Sequence, residues 1–103
     1  MTESEFKQVA DSVFQRIEQA LDNSDADIDY DSNGTVLEME FADGSKVIIN
    51  RHQPNQEIWL AAKSGGFHYA MQDGNWLSQR DGSELFAKLG ELVQIGGGGE
   101  LEF

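Results

Sequence analysis

The sequence predicts an α+β fold of two layers, in which a helix, an antiparallel meander of five or six strands and a second helix follow one another. Three observations carry this expectation. Apolar residues repeat with a helical period as far as Leu21, then with a period of two between glycine-containing turns, and again with a helical period from Leu85 onward. Both helices then cover one face of the sheet, and the other face is left for something else.

The first helix is expected over Thr2 to Leu21, where Phe6, Val9, Ala10, Val13, Phe14, Ile17 and Leu21 share one stripe behind a capping box of Thr2 and Glu5. At about 100° per residue, Asp11, Glu18 and Asp22 fall together away from that stripe, where they are expected to face water. After a polar break, Ile28 and Tyr30 alternate with Asp27, Asp29 and Asp31, the pattern of a half-buried strand. Asn33-Gly34 leads into Leu37, Met39 and Phe41, which alternate with Glu38 and Glu40, so a tight hairpin is expected. A second hairpin turns at Asp43-Gly44. Strands follow over Lys46 to Asn50, Glu57 to Lys63, Phe67 to Met71 and Trp76 to Gln79, separated by a loop at Pro54 and by Gly65-Gly66 and Asp73-Gly74. Past Asp81-Gly82, Ser83 suits an N-cap and Glu84 a first turn, ahead of a stripe of Leu85, Phe86, Leu89, Leu92 and Val93. Residues 96–103 form a glycine-rich tail that is either mobile or returns against the helices. No repeat or linker divides the chain, so one domain over 1–103 is expected.

The chain has 103 residues, 39% of them apolar, and no cysteine, which removes thiolate catalysis, disulfides and cysteine-held zinc or clusters. No apolar run approaches a membrane span, and the opening residues are acidic where a secretory leader would be basic, so a cytoplasmic protein is expected. The net charge of −12 is unevenly placed: up to Asp43, twelve acids face only Lys7 and Arg16, and the remaining 60 residues carry just −2. Such a field repels nucleic acid and anionic lipid and attracts cations and basic protein surfaces.

Four features of the sequence bear on chemistry. Asp29-x-Asp31-x-Asn33-Gly34, with Glu40 after it, matches the EF-hand calcium loop, but that loop needs a helix on each side and here both flanks alternate with a period of two. A hairpin explains it better. Glu18 and Asp22 on the helix, with Asp25, Asp27, Asp29 and Asp31 after it, form a ridge of carboxylates whose alternate strand members lie about 6.5 to 7 Å apart. Carboxylates set in parallel cannot cage one ion, so hard cations are expected to bind weakly; a solvated face that serves solubility is the plain alternative. Trp59 points to the open sheet face if Ile58 and Leu60 point to the core, and an exposed tryptophan suits a protein interface; ordinary packing is the alternative. His52 and His68 belong to no ligand pattern and read as isolated, and no serine sits in a nucleophile setting.

The stretch Asn50-Arg51-His52-Gln53-Pro54-Asn55-Gln56-Glu57-Ile58-Trp59-Leu60-Ala61, with Ser64-Gly65-Gly66-Phe67-His68-Tyr69 after it, resembles the signature of the frataxin family, in its bacterial form. The likeness extends from the Glu5-Phe6 helix through the acidic run and Asp43-Gly44-Ser45-Lys46 to the closing helix. His52 and Glu57 stand where glutamine is usual in that family. The resemblance implies a helix–sheet–helix sandwich that binds iron weakly and reversibly through Glu18, Asp22, Asp25, Asp27, Asp29 and Asp31. By the same resemblance these residues meet a basic patch on cysteine desulfurase, and Trp59, with Asn50 and Arg51 nearby, contacts the assembly complex and its scaffold protein. The implied role is a regulator or iron adaptor of iron–sulfur cluster assembly, monomeric, with oligomers open as an effect of iron. Two other readings stay open: an iron-oxidising or iron-storage protein, although no Glu-x-x-His pair is present, and a calcium-binding protein.

Overall fold

A computed structural model of the protein describes residues 1–24, 27–63, 65–96 and 103. Helix α1 (Glu3–Asp22) precedes six strands, β1 (Ile28–Ser32), β2 (Val36–Phe41), β3 (Lys46–His52), β4 (Glu57–Ala62), β5 (Gly65–Gln72) and β6 (Asn75–Ser78), and helix α2 (Leu85–Ile95) follows. The strands form one antiparallel sheet in sequence order, as a meander must when each pair is joined by a short turn.

The Thr2 hydroxyl accepts the Glu5 N–H and the Glu5 carboxylate accepts the Thr2 N–H, closing the capping box that starts α1. The helix buries Phe6, Ala10, Val13, Phe14, Ile17, Ala20 and Leu21. Opposite it the sheet presents alternate residues: Leu37, Met39 and Phe41 from β2, Val47 and Ile49 from β3, Ile58 and Leu60 from β4, Phe67 and Tyr69 from β5 and Trp76 from β6. Leu85, Leu89, Leu92 and Val93 of α2 complete this core. Phe6 meets Trp76 edge-on near the start of α1, and Asp22 bonds Tyr30 at its end, so the helix runs across the sheet from β6 to β1. Helix α2 starts beside β6 and ends where Gly96 lies against the Phe41 ring of β2; a Cβ there would stand 2.5 Å from the ring. Both helices thus lie on one face, and among the described residues no helix covers the other.

The β1–β2 hairpin turns as its Asn33-Gly34 pair requires. The Asn33 side chain accepts the N–H groups of Thr35 and Val36, and Gly34 takes φ +88°, a conformation costly to any residue with a Cβ. Three boundaries differ from expectation, and the chain end selects between two open readings. Strand β5 takes in Gly65 and Gly66, expected as a turn, because they pair with Ala62 and Ala61. Strand β3 runs on to His52 because Arg51 and His52 pair with Ile58 and Glu57 of β4. Helix α2 is capped by Glu84, whose carboxylate accepts the N–H groups of Phe86 and Ala87, and not by Ser83. The chain is still extended at that point, since the Ser83 carbonyl accepts the Ser78 N–H and Leu77 bridges Glu84; the Ser83 hydroxyl bonds Asp81 instead. Finally, Phe103 packs on Phe86 while its carbonyl accepts from Arg16 at 2.6 Å, so the last residue returns to the helix layer; the rest of the expected tail, 97–102, is outside the described residues.

Candidate functional site

Strand β1 is the edge of the sheet, and its alternation sorts the acidic residues onto two sides. Tyr30 pairs with Met39 and so faces the helices; Asp29 pairs with Glu40 and Asp31 with Glu38, and these four carboxylates share the open face. They line a shallow depression of about 230 Å³ together with Tyr30. Like charges opposite each other across two strands are destabilising, so this hairpin holds its acids together against their repulsion. The match to a calcium loop dissolves in the same register: its first and last positions, Asp29 and Glu40, are cross-strand neighbours in a hairpin and not the ends of a loop between helices.

The helical acids reach the same edge from the other side. The Tyr30 hydroxyl donates to Asp22 at 2.6 Å, and that hydrogen bond, with burial and the charges of Asp22 and Glu18, pushes the phenol pKa up to about 12. Glu18 and Asp22 therefore gather at the tip of Tyr30, whereas Asp29 and Asp31 lie across the strand from it. Asp27 is exposed just ahead of β1. Asp25 lies outside the described residues. Among the described residues, none of Glu18, Asp22, Asp27, Asp29 and Asp31 forms an ion pair, and no three acidic or histidine side chains converge as a metal cage. Glu38, which sequence patterning assigns only to a strand, joins the open-face group, though Lys46 bridges to it at 3.0 Å and is itself held protonated by that bond and by the nearby charges of Glu38 and Glu40.

Asp11 departs from expectation in part. Its side chain is 38% exposed, as expected, but it is not a free member of an acidic back: Lys7 reaches it at 3.0 Å and Arg51 at 2.6 Å, bonds that hold its carboxyl below the usual range. This also corrects the placement of Arg51. The odd residues of β3 face the helices, so Arg51, only 11% exposed in its side chain, lies over the Phe14 ring on the covered face and is not beside Trp59. Asn50 is beside it: Asn50 pairs with Trp59 on the open face.

Trp59 has company that its sequence neighbourhood does not show. The His52 ring stacks on one face of the indole and the His68 ring on the other, with centroids 3.9 and 4.2 Å away and each 9° from parallel. The indole N–H donates to Glu57 at 2.9 Å. The open face of the sheet thus carries a carboxylate group over β1 and β2 and a closed histidine–tryptophan–histidine stack over β3 to β5. No His-x-x-x-His spacing announces that stack; the available signal was register, since His52, Trp59 and His68 hold same-face positions on three successive strands. Among the described residues, no helix is long and apolar enough to cross a membrane.

With this geometry in hand, known proteins are informative. Residues 1–98 match the frataxin-like domain family. The chain is 52% identical over 89 residues to the iron–sulfur cluster assembly protein CyaY of Vibrio cholerae, a match covering 86% of each chain. A frataxin from Psychromonas ingrahamii superposes with a TM-score of 0.93 at 39% identity, over 99% of this chain and 97% of that one. A trimeric frataxin from the yeast Saccharomyces cerevisiae, complexed with ferrous iron, superposes with a TM-score of 0.70 at 26% identity, over 93% and 86% of the two chains.

Proposed function

This chain belongs to the frataxin-like domain family, and from that premise we propose that it is an iron-binding regulator of iron–sulfur cluster assembly that docks on cysteine desulfurase. The name of its Vibrio relative supports the pathway, and the ferrous complex of the yeast relative supports the ion. The observation that carries the reading in this chain is the set of carboxylates around strand β1 that form no ion pair among the described residues, Glu18 and Asp22 on one side, Asp27 at the end, Asp29 and Asp31 on the other.

The donor set suits iron in a particular way. Carboxylate oxygens are hard ligands, and ferrous iron accepts them as magnesium, manganese and calcium do. Because these side chains are divided between two sides of β1 and no three of the described ones converge, each ion meets one or two of them and keeps much of its water, which gives weak, readily reversed binding suited to delivery or sensing. Asp25 belongs to the same set by the run of acids in the sequence and by the family resemblance, and lies outside the described residues. The same charges would meet a basic patch on the desulfurase, and Trp59 with Asn50 would face the desulfurase–scaffold assembly across the open face. Arg51 is left out of that contact, since it is committed to Asp11. In this role the protein adjusts another enzyme's output and has no turnover of its own.

The test is an anaerobic NMR titration with ferrous iron followed by desulfurase. Amide signals of residues 18, 22, 27, 29 and 31 should respond to iron first, with 38 and 40 beside them, and those of 50 and 59 only when the protein partner is added. Iron-induced shifts confined to other parts of the chain would refute the assignment.

A further inference from the structure

Two histidines without any motif close both faces of Trp59. Their rings come from β3 and β5, the strands on either side of β4, and stand within 3.9 and 4.2 Å of the indole centroid. His68 is the direct cross-strand partner of Trp59, while His52 pairs with Glu57 two residues away on the same face. Glu57 in turn takes the indole N–H. Every polar or π-face contact that tryptophan can offer is already used within the chain. The Nδ1 atom of His52 is buried with no hydrogen-bond partner among the described residues, so no polar contact of that atom holds the ring where it stacks on Trp59.

We infer that His52 and His68 are positioning residues, which clamp Trp59 so that its free ring edge forms a preformed, uncharged contact for a protein partner whose surface sets an apolar patch beside a basic one. The inference rests on the docking reading above. The partner's chemistry follows from what shares the face: Asp29, Asp31, Glu38 and Glu40 over β1 and β2, then half-exposed Ile48, then the stack over β3 to β5. A complementary surface is basic opposite the acids and apolar opposite the ring edges. With both ring faces sealed, a partner arginine or aromatic group has no indole face to stack on, so Trp59 meets aliphatic groups edge-on. A side chain already held in place loses less freedom on binding, and this is what the clamp contributes.

The experiment measures the affinity of the full-length chain for cysteine desulfurase, alone and loaded with its scaffold protein, over a range of sodium chloride. Trp59→Ala should weaken binding about tenfold, as loss of a central aromatic anchor does, and the paired change His52→Ala with His68→Ala should approach the same loss. Neither should alter the slope of affinity against salt, whereas Asp29→Lys should flatten it. His52→Phe, which puts a ring back on the indole, should bind within about twofold of the parent chain because stacking is restored. In the paired variant the indole N–H signal of Trp59 should move and broaden while that of Trp76 stays in place; this readout separates loss of positioning from loss of fold. Should the paired variant not fold, the single alanine variants and His52→Phe decide the matter. Loss of affinity in Trp59→Ala without loss in the histidine variants would overturn the clamp. Normal binding by Trp59→Ala would instead overturn the docking reading beneath it.

Discussion

The hydroxyl of Tyr30 joins the end of α1 to the edge strand, 2.6 Å from Asp22, and its aromatic ring lies on the core face. Tyr30→Phe keeps the ring and removes only the donor, so it should lower stability by about 1 kcal/mol, below the range for a buried hydrogen bond to a charged acceptor because this one is exposed. Urea unfolding measures this, and an unchanged midpoint would mean that water replaces the phenol at no cost. Asp81 is the corresponding anchor at the start of α2. It accepts from the Ser83 hydroxyl and N–H, bonds that bring its pKa down from 3.8 to about 2. A depressed carboxyl contributes stability above its unfolded pKa and loses it as pH falls toward the folded value. Asp81→Asn should therefore cost stability at neutral pH and flatten the decline between about pH 4 and pH 2 followed by circular dichroism. An equally steep acid transition in the variant would show that other groups govern it. Neither contact is written in the pattern of apolar residues. Tyr30 reads as a core-facing strand residue, and its hydroxyl partner appears only once α1 has been laid across the sheet. Arg51 is similar: the apolar pattern ends its strand at Asn50 and leaves Arg51 to the loop, and its place on the covered face appears only because β3 runs on two residues to pair with β4.

At the scale of elements, the acidic hairpin is held against its own charge. Asp29 opposes Glu40 and Asp31 opposes Glu38, and among the described residues only Lys46 forms an ion pair with any of them, bridging Glu38 from a position opposite Glu40. Asp29→Lys turns one of these repulsions into an attraction and should stabilise the metal-free protein by about 0.5 to 1 kcal/mol, in the range of cross-strand charge pairs. Thermal unfolding in low salt with a chelator tests it; an unchanged melting temperature would mean that the pair is screened already, and a lower one that Asp29 is net favourable where it stands. The hairpin itself was legible, because Asn33-Gly34 fixes the turn and the period of two fixes the faces. So was the start of α1, where Thr2 and Glu5 form a box that depends on neighbours in sequence. Pairing across strands was less so. Glu38 and Glu40 join Asp29 and Asp31, and His52 and His68 join Trp59, through register, which depends on turn lengths that the pattern brackets only to within a residue or two. The start of α2 was misplaced for a related reason: the Leu77–Glu84 bridge keeps Ser83 extended, and a contact with β6 overrides the local preference of serine for the cap.

Taken as a whole, the molecule concentrates most of its net charge of −12 in the α1–β2 half, and this sets how it responds to ions. Two effects must be separated. Any salt screens mutual repulsion among the carboxylates, with a reach that falls to about 10 Å at 0.1 M, whereas a divalent cation that binds the folded chain better than the unfolded one adds a mass-action term. At tenfold excess over its dissociation constant that term is about 1.4 kcal/mol. Melting curves with manganese as an air-stable stand-in for ferrous iron, against sodium chloride of matched ionic strength, should therefore show an additional rise in melting temperature. The increment should shrink in Asp22→Asn and in Asp31→Asn, since each removes one carboxylate from a different side of β1, and should survive unchanged in Asp73→Asn, a turn residue far along the chain from both groups. If sodium chloride of equal ionic strength reproduced the whole rise, the carboxylates would be responding as a diffuse field. Iron would then lose its structural basis in this chain, while electrostatic docking on a basic enzyme surface would keep its own.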